Sequence, residues 1–473
     1  MMAARWSVAA LVLLVGCSAL AQEICSKCQC TPGTSTLVDC TDKALTAVPN
    51  ATEWPKDVAI EARFDHNRLV HLTSMGSIPT LEKLSISHCQ LTLIDDLAFM
   101  HVPNLTYLDL SNNQLTSETL RPQVFRGLYA PDGYEPMRQM RVLHLGYNAI
   151  HSLDQDLFEH LTFLTELSLK YNPLSVLDQS TVLAISSLDY LKVLDLSYTG
   201  LTTLPMHSLH SPRFLEELHL AGNSFIEIPT QALADTHTLK ILTLDDNPIR
   251  NLEKGSFPSL PTLEHLSMCS LPNLTVIGAE AFSGMQSLVE LIMVDNVHLQ
   301  YIDPEAFKGQ VEGDSWTLRR LHLNGNSLGR LPKELLRRWD ALDELRLQGN
   351  PWVCDCDSQW ILTDLIHILD SMAAPTLVCH EPIEMRGQTF NTLAQNEEHL
   401  RCLDLYDHHP EKDGAILIGV LIGVLLAVPI TIAIVILWRR FGPSITGRYH
   451  ASPADYTRAF YKRADVSFSH DNA

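Results

Sequence analysis

An α/β solenoid of stacked repeats, closed at both ends by disulfides and accompanied by one transmembrane helix, is the fold class that the sequence predicts. Three observations predict it. A pattern of leucines and asparagine recurs about every 24 residues through the middle of the 473-residue chain, two even clusters of cysteine flank that region, and 24 consecutive residues from Ala415 to Trp438 carry no charge. Composition alone decides little: 46% hydrophobic and 19% charged residues are ordinary for globular domains, so class comes from distribution.

The first 21 residues read as a secretory signal. They carry one basic residue, Arg5, an apolar core from Val8 to Val15, and Ala19-Leu20-Ala21 ahead of Gln22, which suits signal-peptidase cleavage. Leu14-Val15-Gly16-Cys17 also fits a lipobox, but a lipid anchor is redundant beside a membrane span. The span itself, 415–438, is long enough to cross a hydrocarbon core of about 30 Å. Arg439 and Arg440 follow it, and the tail 439–473 holds six Lys/Arg against three Asp/Glu, so the positive-inside bias places the tail in the cytoplasm and predicts a type I plasma-membrane protein.

Net charge is −21; setting aside the +3 tail and Arg5 leaves −25 across 22–414. Such a surface repels nucleic acid and steers basic protein ligands inward. Four cysteines gather at Cys25, Cys28, Cys30 and Cys40, and four more at Cys354, Cys356, Cys379 and Cys402. Even sets in an exported chain imply disulfides. Zinc at Cys354-x-Cys356 is the alternative, disfavoured by the one-residue gap and the oxidising compartment.

Between the clusters, L-x-x-L-x-L-x-x-N-x-L begins at Leu81 (Cys89 at the Asn position), Leu105 (Asn113), Met140 (Asn148), Leu164 (Asn172), Leu191 (Thr199), Leu215 (Asn223) and Leu239 (Asn247). Further copies start at Leu263, Leu288, Leu318 and Leu342, and a degenerate copy near Ala59 brings the number to about twelve across 55–350. The pattern encodes a short strand with inward leucines and a turn whose buried Asn bonds to backbone. An unpaired polar group there costs about 1–3 kcal/mol, so the position is restricted. Thr199 and Cys89 are weak substitutes, and Leu271 predicts an altered turn. Phe99, Phe125, Phe158, Phe257, Phe282 and Phe307 recur on the convex side and are expected to stack. No repeat buries its leucines alone; stacking makes one core.

The clusters at 22–54 and 351–403 resemble the N- and C-terminal caps of extracellular leucine-rich-repeat proteins, and Asn350-Pro351-Trp352-x-Cys354-x-Cys356 is a strong match to the C-terminal cap signature. The resemblance covers Cys25 to Cys402. It implies a curved, right-handed α/β leucine-rich-repeat solenoid with parallel strands on its concave face. It also implies the pairs Cys25 with Cys30, Cys28 with Cys40, Cys354 with Cys379 and Cys356 with Cys402.

Residues that flank the inward leucines are expected on the concave face. One offset places Tyr147, Tyr171 and Tyr198 on three consecutive repeats as a ladder, since neighbouring strands lie about 4.8 Å apart. Tyrosine combines large contact area with a polar tip and is enriched at interface hot spots. Asp195, Asp245 and Asp246 add acidic character, Ile292 and Val294 with Cys269 form an apolar set, and His144, His219 and His322 recur at one offset. The alternatives are aromatic packing on the sheet, burial of Cys269 under its neighbours, and scattered surface histidines without a role. Asn50, Asn104 and Asn273 are N-x-[ST] sequons, with Asn104 and Asn273 placed lateral to the strands. The segment 116–139 lengthens one repeat by about a dozen residues, an edge loop and candidate contact.

A linker, 404–414, leads to the span, where Gly419 and Gly423 lie on one helix face that suits close helix pairing and a homodimer or co-receptor. Tyr449, Tyr456 and Tyr461 are candidate phosphorylation sites in the tail. No nucleophile elbow, phosphate loop or His pair at metal spacing occurs, so no enzymatic activity and no cofactor is expected. The expected function is a cell-surface receptor or adhesion protein that binds a protein ligand through its concave face and acts through partners. A homophilic adhesion molecule, an accessory subunit of another membrane protein and recognition of a microbial pattern are the alternatives.

Overall fold

The computed structural model describes residues 23–309, 316–372, 374–402 and 410–441; the signal segment, Cys17, most of the linker and the tail tyrosines lie outside the described residues. The chain divides after Leu400 into a repeat unit and a unit that holds a long apolar helix.

The repeat unit is built on a 14-stranded sheet whose strands follow sequence order. Gln29–Thr31 and Thr36–Asp39 of the N-terminal cap pair antiparallel, and every later strand, from Ile60–Arg63 to Glu344–Arg346, joins in parallel. Register follows from the leucine period: Leu108, Leu143, Leu167, Leu194 and Leu218 are direct partners across successive strands, and all are fully buried. Most strands show one buried residue between two half-buried ones, as expected of an inward leucine flanked by face residues. Each buried leucine contributes about 2 kcal/mol.

Asparagine ties the repeats together. Asn172 donates to the carbonyls of Leu145 and Leu169 and accepts from the Ile150 amide, so one side chain serves two repeats. Thr199 and Cys89 keep part of this role: Thr199 Oγ1 donates to Leu196 O at 2.7 Å, and Cys89 Sγ to Phe64 O at 3.1 Å. The turn at Leu271 keeps its left-handed residue but is altered just beyond it: two exposed residues, Pro272 and Asn273, separate Leu271 from the next buried leucine, Leu274, where most repeats have one, and the Leu274 amide turns back to Leu271 O at 3.5 Å. Ser270 adopts φ 54°, like its counterparts, and Leu271 is fully buried. The carbonyls of Leu244 and Met268, which an asparagine at 271 would bind, are served by Asn247 and Asn296 from the neighbouring repeats. Because each asparagine bridges two rungs, one missing member leaves those carbonyls bonded.

On the convex side Phe99 stacks on Phe125 at 6.0 Å, and Phe282 lies 6.5 Å from Phe257 and 4.9 Å from Phe307. The phenylalanine series is interrupted between Phe158 and Phe257, where buried Ile185, Leu209 and Leu233 fill the same rung. Ile185 belongs to the helix Gln179–Ser186, whose first turn is closed by Asp178 accepting from the Thr181 amide at 2.8 Å. The long repeat folds its insertion into a 3-10 turn, Pro122–Phe125, and a hairpin that pairs Tyr129 with Tyr134.

The disulfides Cys25–Cys30, Cys28–Cys40 and Cys354–Cys379 are formed, and Cys356 and Cys402 are also disulfide-bonded. Trp54 and Trp352 sit fully buried in the two caps, each with its indole N–H bonded to a carbonyl, of Pro49 and Leu347. Arg330 reaches from the repeats to the buried Asp355 of the C-terminal cap. In the second unit the helix runs Pro410–Phe441, so the last residues assigned to a linker are helical. Its stretch Leu417–Arg440, whose most apolar window reaches a mean hydropathy of 3.1, is long and apolar enough to cross a membrane. Among the described residues nothing lies within 4 Å of a Cβ built on Gly419 or Gly423.

Candidate functional site

The three tyrosines form a continuous stack. Tyr147 and Tyr171 are 4.2 Å apart at 12°, and Tyr171 and Tyr198 are 4.3 Å apart at 6°. They are 41%, 39% and 37% exposed, which leaves the stack accessible along one side. Their position differs from the expected one on the strands: each precedes the asparagine position and occupies the turn just beyond the strand, with φ 55°, 55° and 57°. His66, His88, Asn112, Gly222, Asp246, Ser270 and Asp295 hold the same place in other repeats with the same sign of φ. Each amide in this row donates to a carbonyl of the next repeat, Tyr147 to Lys170 and Tyr171 to Ser197, so the left-handed turns are locked in file.

The stack ends in a hydrogen bond that spans two repeats. Tyr198 Oη donates to Asp246 Oδ2 at 2.6 Å, passing over Gly222. A Cβ on Gly222 would lie 2.1 Å from carbons of the Tyr198 ring, and φ is +64° there, so glycine is needed for both space and backbone. The bond to the carboxylate, then burial and carboxylate charge, push the Tyr198 phenol above its ordinary range. Burial and the bond with Tyr147 raise that of Tyr171. Both phenols therefore stay protonated donors at neutral pH.

Gly222→Ala is expected to swing the Tyr198 ring off Tyr171 and lower its phenol toward the ordinary range, at a stability cost of about 1–2 kcal/mol. Ultraviolet phenolate titration reads this; an unchanged high-pH titration would remove the Tyr198–Asp246 bond from the account.

Beside the stack lies a depression of about 540 Å³, lined by Tyr147, Asp109, His144, Glu166, Asp195 and His219 among others. His144 bridges its wall, 2.9 Å from Glu166 Oε1 and 3.3 Å from Tyr107 Oη. Burial, then the charges of Asp109 and Glu166, push the Tyr107 phenol up to about 12. Asp195 serves twice: it lines the depression and accepts from the Ser197 amide at 3.0 Å. Asp245 is taken up by its turn, accepting from Ser267 Oγ and the Cys269 amide, so Asp246 rather than Asp245 extends the tyrosine row.

Ile292 and Val294 are half-buried, away from the stack toward the C-terminal cap. Cys269 is a free thiol held between them: its Sγ accepts from the Val294 amide at 3.5 Å and lies 3.8 Å from Ile292 O. Burial pushes this thiol up, away from reactive thiolate character. Glu290 on the same strand as Ile292 is held below the usual carboxylate range by Arg320, and His265 also bonds it. This end of the face is closed by its own pairs, whereas the depression faces solvent.

Asn50, Asn104 and Asn273 are all exposed. Asn104 precedes the strand Tyr107–Asp109, whereas Asn273 follows the strand His265–Ser267, so they lie on opposite lateral edges. Two features escaped the sequence reading. Gly222 is legible only as an interruption of the tyrosine series, and a second aromatic row, Phe163, Tyr190 and Phe214, precedes the first leucine of three consecutive repeats. The second row was recoverable from the same repeat alignment at another offset.

Known proteins share the repeat pattern. The family model described as Leucine rich repeat matches residues 79–130, 138–192, 213–270 and 237–297. Tsukushi of Gallus gallus is 28% identical over 268 residues, which cover 52% of this chain and 68% of that protein. Transforming growth factor beta activator LRRC32 of Pongo abelii is 27% identical over 358 residues, covering 63% of this chain and 53% of its own length. The matched stretch thus spans between about half and two thirds of these relatives. A chain in the solved octameric complex of latrophilin 3, Unc5D and FLRT2 superposes with TM-score 0.53 at 22% identity, over 77% of this chain and 95% of that one.

Proposed function

Because the chain is a leucine-rich-repeat protein with cysteine-capped ends, we propose that it acts at the plasma membrane as a type I receptor or adhesion protein that binds a basic protein ligand beside its tyrosine row. The observation that carries this reading is the stack of Tyr147, Tyr171 and Tyr198 closed by Asp246. Stacked rings held by locked turns are already ordered, so little side-chain entropy is lost when a partner covers them. The adjoining depression carries Asp109, Glu166, Asp195 and Glu217 against Lys170, which favours cationic groups. A relative named as an activator of a growth factor is in keeping with a protein ligand. Arg439 and Arg440 at the end of the apolar stretch support a cytoplasmic C-terminus.

Proximity labelling on cells that express the full chain tests the site. Tyr147→Ala, Tyr171→Ala and Tyr198→Ala together are expected to remove partners enriched by the parent chain, with a loss of about tenfold or more in labelling and no loss of surface expression. An unchanged partner set would exclude the tyrosine row. Aggregation of expressing cells with one another, and not with non-expressing cells, would mark the partner as a second copy and replace the receptor reading with homophilic adhesion.

A further inference from the structure

The second aromatic row occupies the edge at which the strands begin. Phe163 and Tyr190 are 5.2 Å apart at 30°, and Tyr190 and Phe214 are 6.4 Å apart at 15°. Tyr190 is 47% and Phe214 52% exposed, large values for aromatic rings outside the membrane segment. In six other repeats the same position has a structural task. Thr80, Asn104, Thr238, Thr262, Ser287 and Thr317 each donate from the side chain to a carbonyl one repeat back, such as Thr238 Oγ1 to Leu215 O at 2.8 Å. Three consecutive repeats forgo this tie and present aromatic rings instead.

The charged groups around the row are mostly cationic, against the acidic trend of the chain, with exposed Asp189 beside Tyr190 the exception. The Arg141 guanidinium lies 5.6 Å from the Phe163 ring centroid and is aimed by bonds to the carbonyls of Arg138 and Met140. Among the described residues no carboxylate forms an ion pair with Arg138, Arg141 or Arg213. Glu216 is held between Lys192 at 2.8 Å and Lys240 at 2.9 Å, and these bonds keep its carboxyl below the usual range. The edge therefore offers an aromatic centre with unpaired cations at its margin, the arrangement of an interface hot spot with a polar rim.

We infer that this edge is a second docking surface, separate from the tyrosine row, for a protein segment that brings carboxylates around an apolar centre. A second copy of the chain does not fit, because a two-fold pairing would set Arg141 and Arg213 against cations of the same row. A sulfated polysaccharide would use the cations and leave the exposed rings without a contact.

The test uses the full chain in detergent and a short fluorescent peptide in which Asp and Glu surround a Trp-Leu-Trp centre. The same peptide with Ser in place of the apolar residues, and fluorescent heparin, are run beside it. Tyr190→Thr with Phe214→Thr installs the residue that the neighbouring repeats carry, so the fold is preserved. This variant, and separately Arg141→Glu with Arg213→Glu, is expected to weaken the apolar acidic peptide about tenfold or more, with the serine peptide weak throughout. Peptide binding that survives either pair of substitutions overturns the proposal. So does heparin binding that needs the arginines and ignores the rings when the apolar peptide fails to bind. Alanine at Tyr147, Tyr171 and Tyr198 should leave peptide binding intact; its loss would assign the peptide to the tyrosine row and sink the second surface, whereas its retention leaves each surface to stand or fall alone.

Discussion

Replacement of Asn223 by Leu is expected to destabilise the repeat unit by about 4 kcal/mol. Asn223 Oδ1 accepts from the amides of Thr199 and Leu201, at 3.1 and 3.0 Å, and from Thr199 Oγ1. Its Nδ2 donates to Leu196 O and Leu220 O. The carbonyls keep second donors, Thr199 Oγ1 for Leu196 and Asn247 Nδ2 for Leu220. The two amides lose their acceptor in a dry interior, at about 1–3 kcal/mol each, and a poorly fitting leucine adds the rest. Denaturant unfolding measures the total, and hydrogen exchange should quicken at Thr199 and Leu201 before other repeats. A loss below about 1 kcal/mol would mean that water replaces the asparagine and that the ladder is not what joins the repeats.

Trp352→Ala should cost about 3–5 kcal/mol, the usual range for emptying a buried aromatic site. The ring is 1% exposed, its N–H is bonded to Leu347 O at 3.1 Å, and its strand pairs with Cys379–Glu381 beside the Cys354–Cys379 disulfide. A solenoid is a line of nearest-neighbour contacts, so an opened cap exposes the last repeat and unfolding spreads inward from it. Exchange should therefore rise first around Leu345 and Leu347, with the N-terminal repeats protected. Uniform exchange along the whole sheet would show that the unit unfolds as one body, and the inward spread would be refuted.

Much of the site was legible because a solenoid converts period into proximity. Tyr147, Tyr171 and Tyr198 share an offset in consecutive repeats, and strands that stack in register must bring equal offsets together. Their place on the turn was less legible, since left-handed backbone at a tyrosine leaves little trace in residue type; glycine and asparagine at Gly222 and Asn112 were the available hints. The role of Asp246 was not readable at all as a contact. It depends on how far a tyrosine reaches across a glycine into the second repeat along. Leu271 shows the opposite case, in which the residue type predicted a local defect and neighbouring asparagines absorbed part of it.

The sequence by itself determined the repeat number, the inward leucines, the cysteine caps and the apolar span, because each depends on residue type at fixed spacing. Tertiary structure alone decided which polar groups are free. Asp245 is consumed by a turn and Asp246 bonds a tyrosine, although they are adjacent and chemically identical. Glu216 is neutralised between two lysines, while Arg141 stays open over a ring. Such assignments depend on distances of a few ångströms between repeats, set by side-chain reach and turn geometry rather than by spacing along the chain.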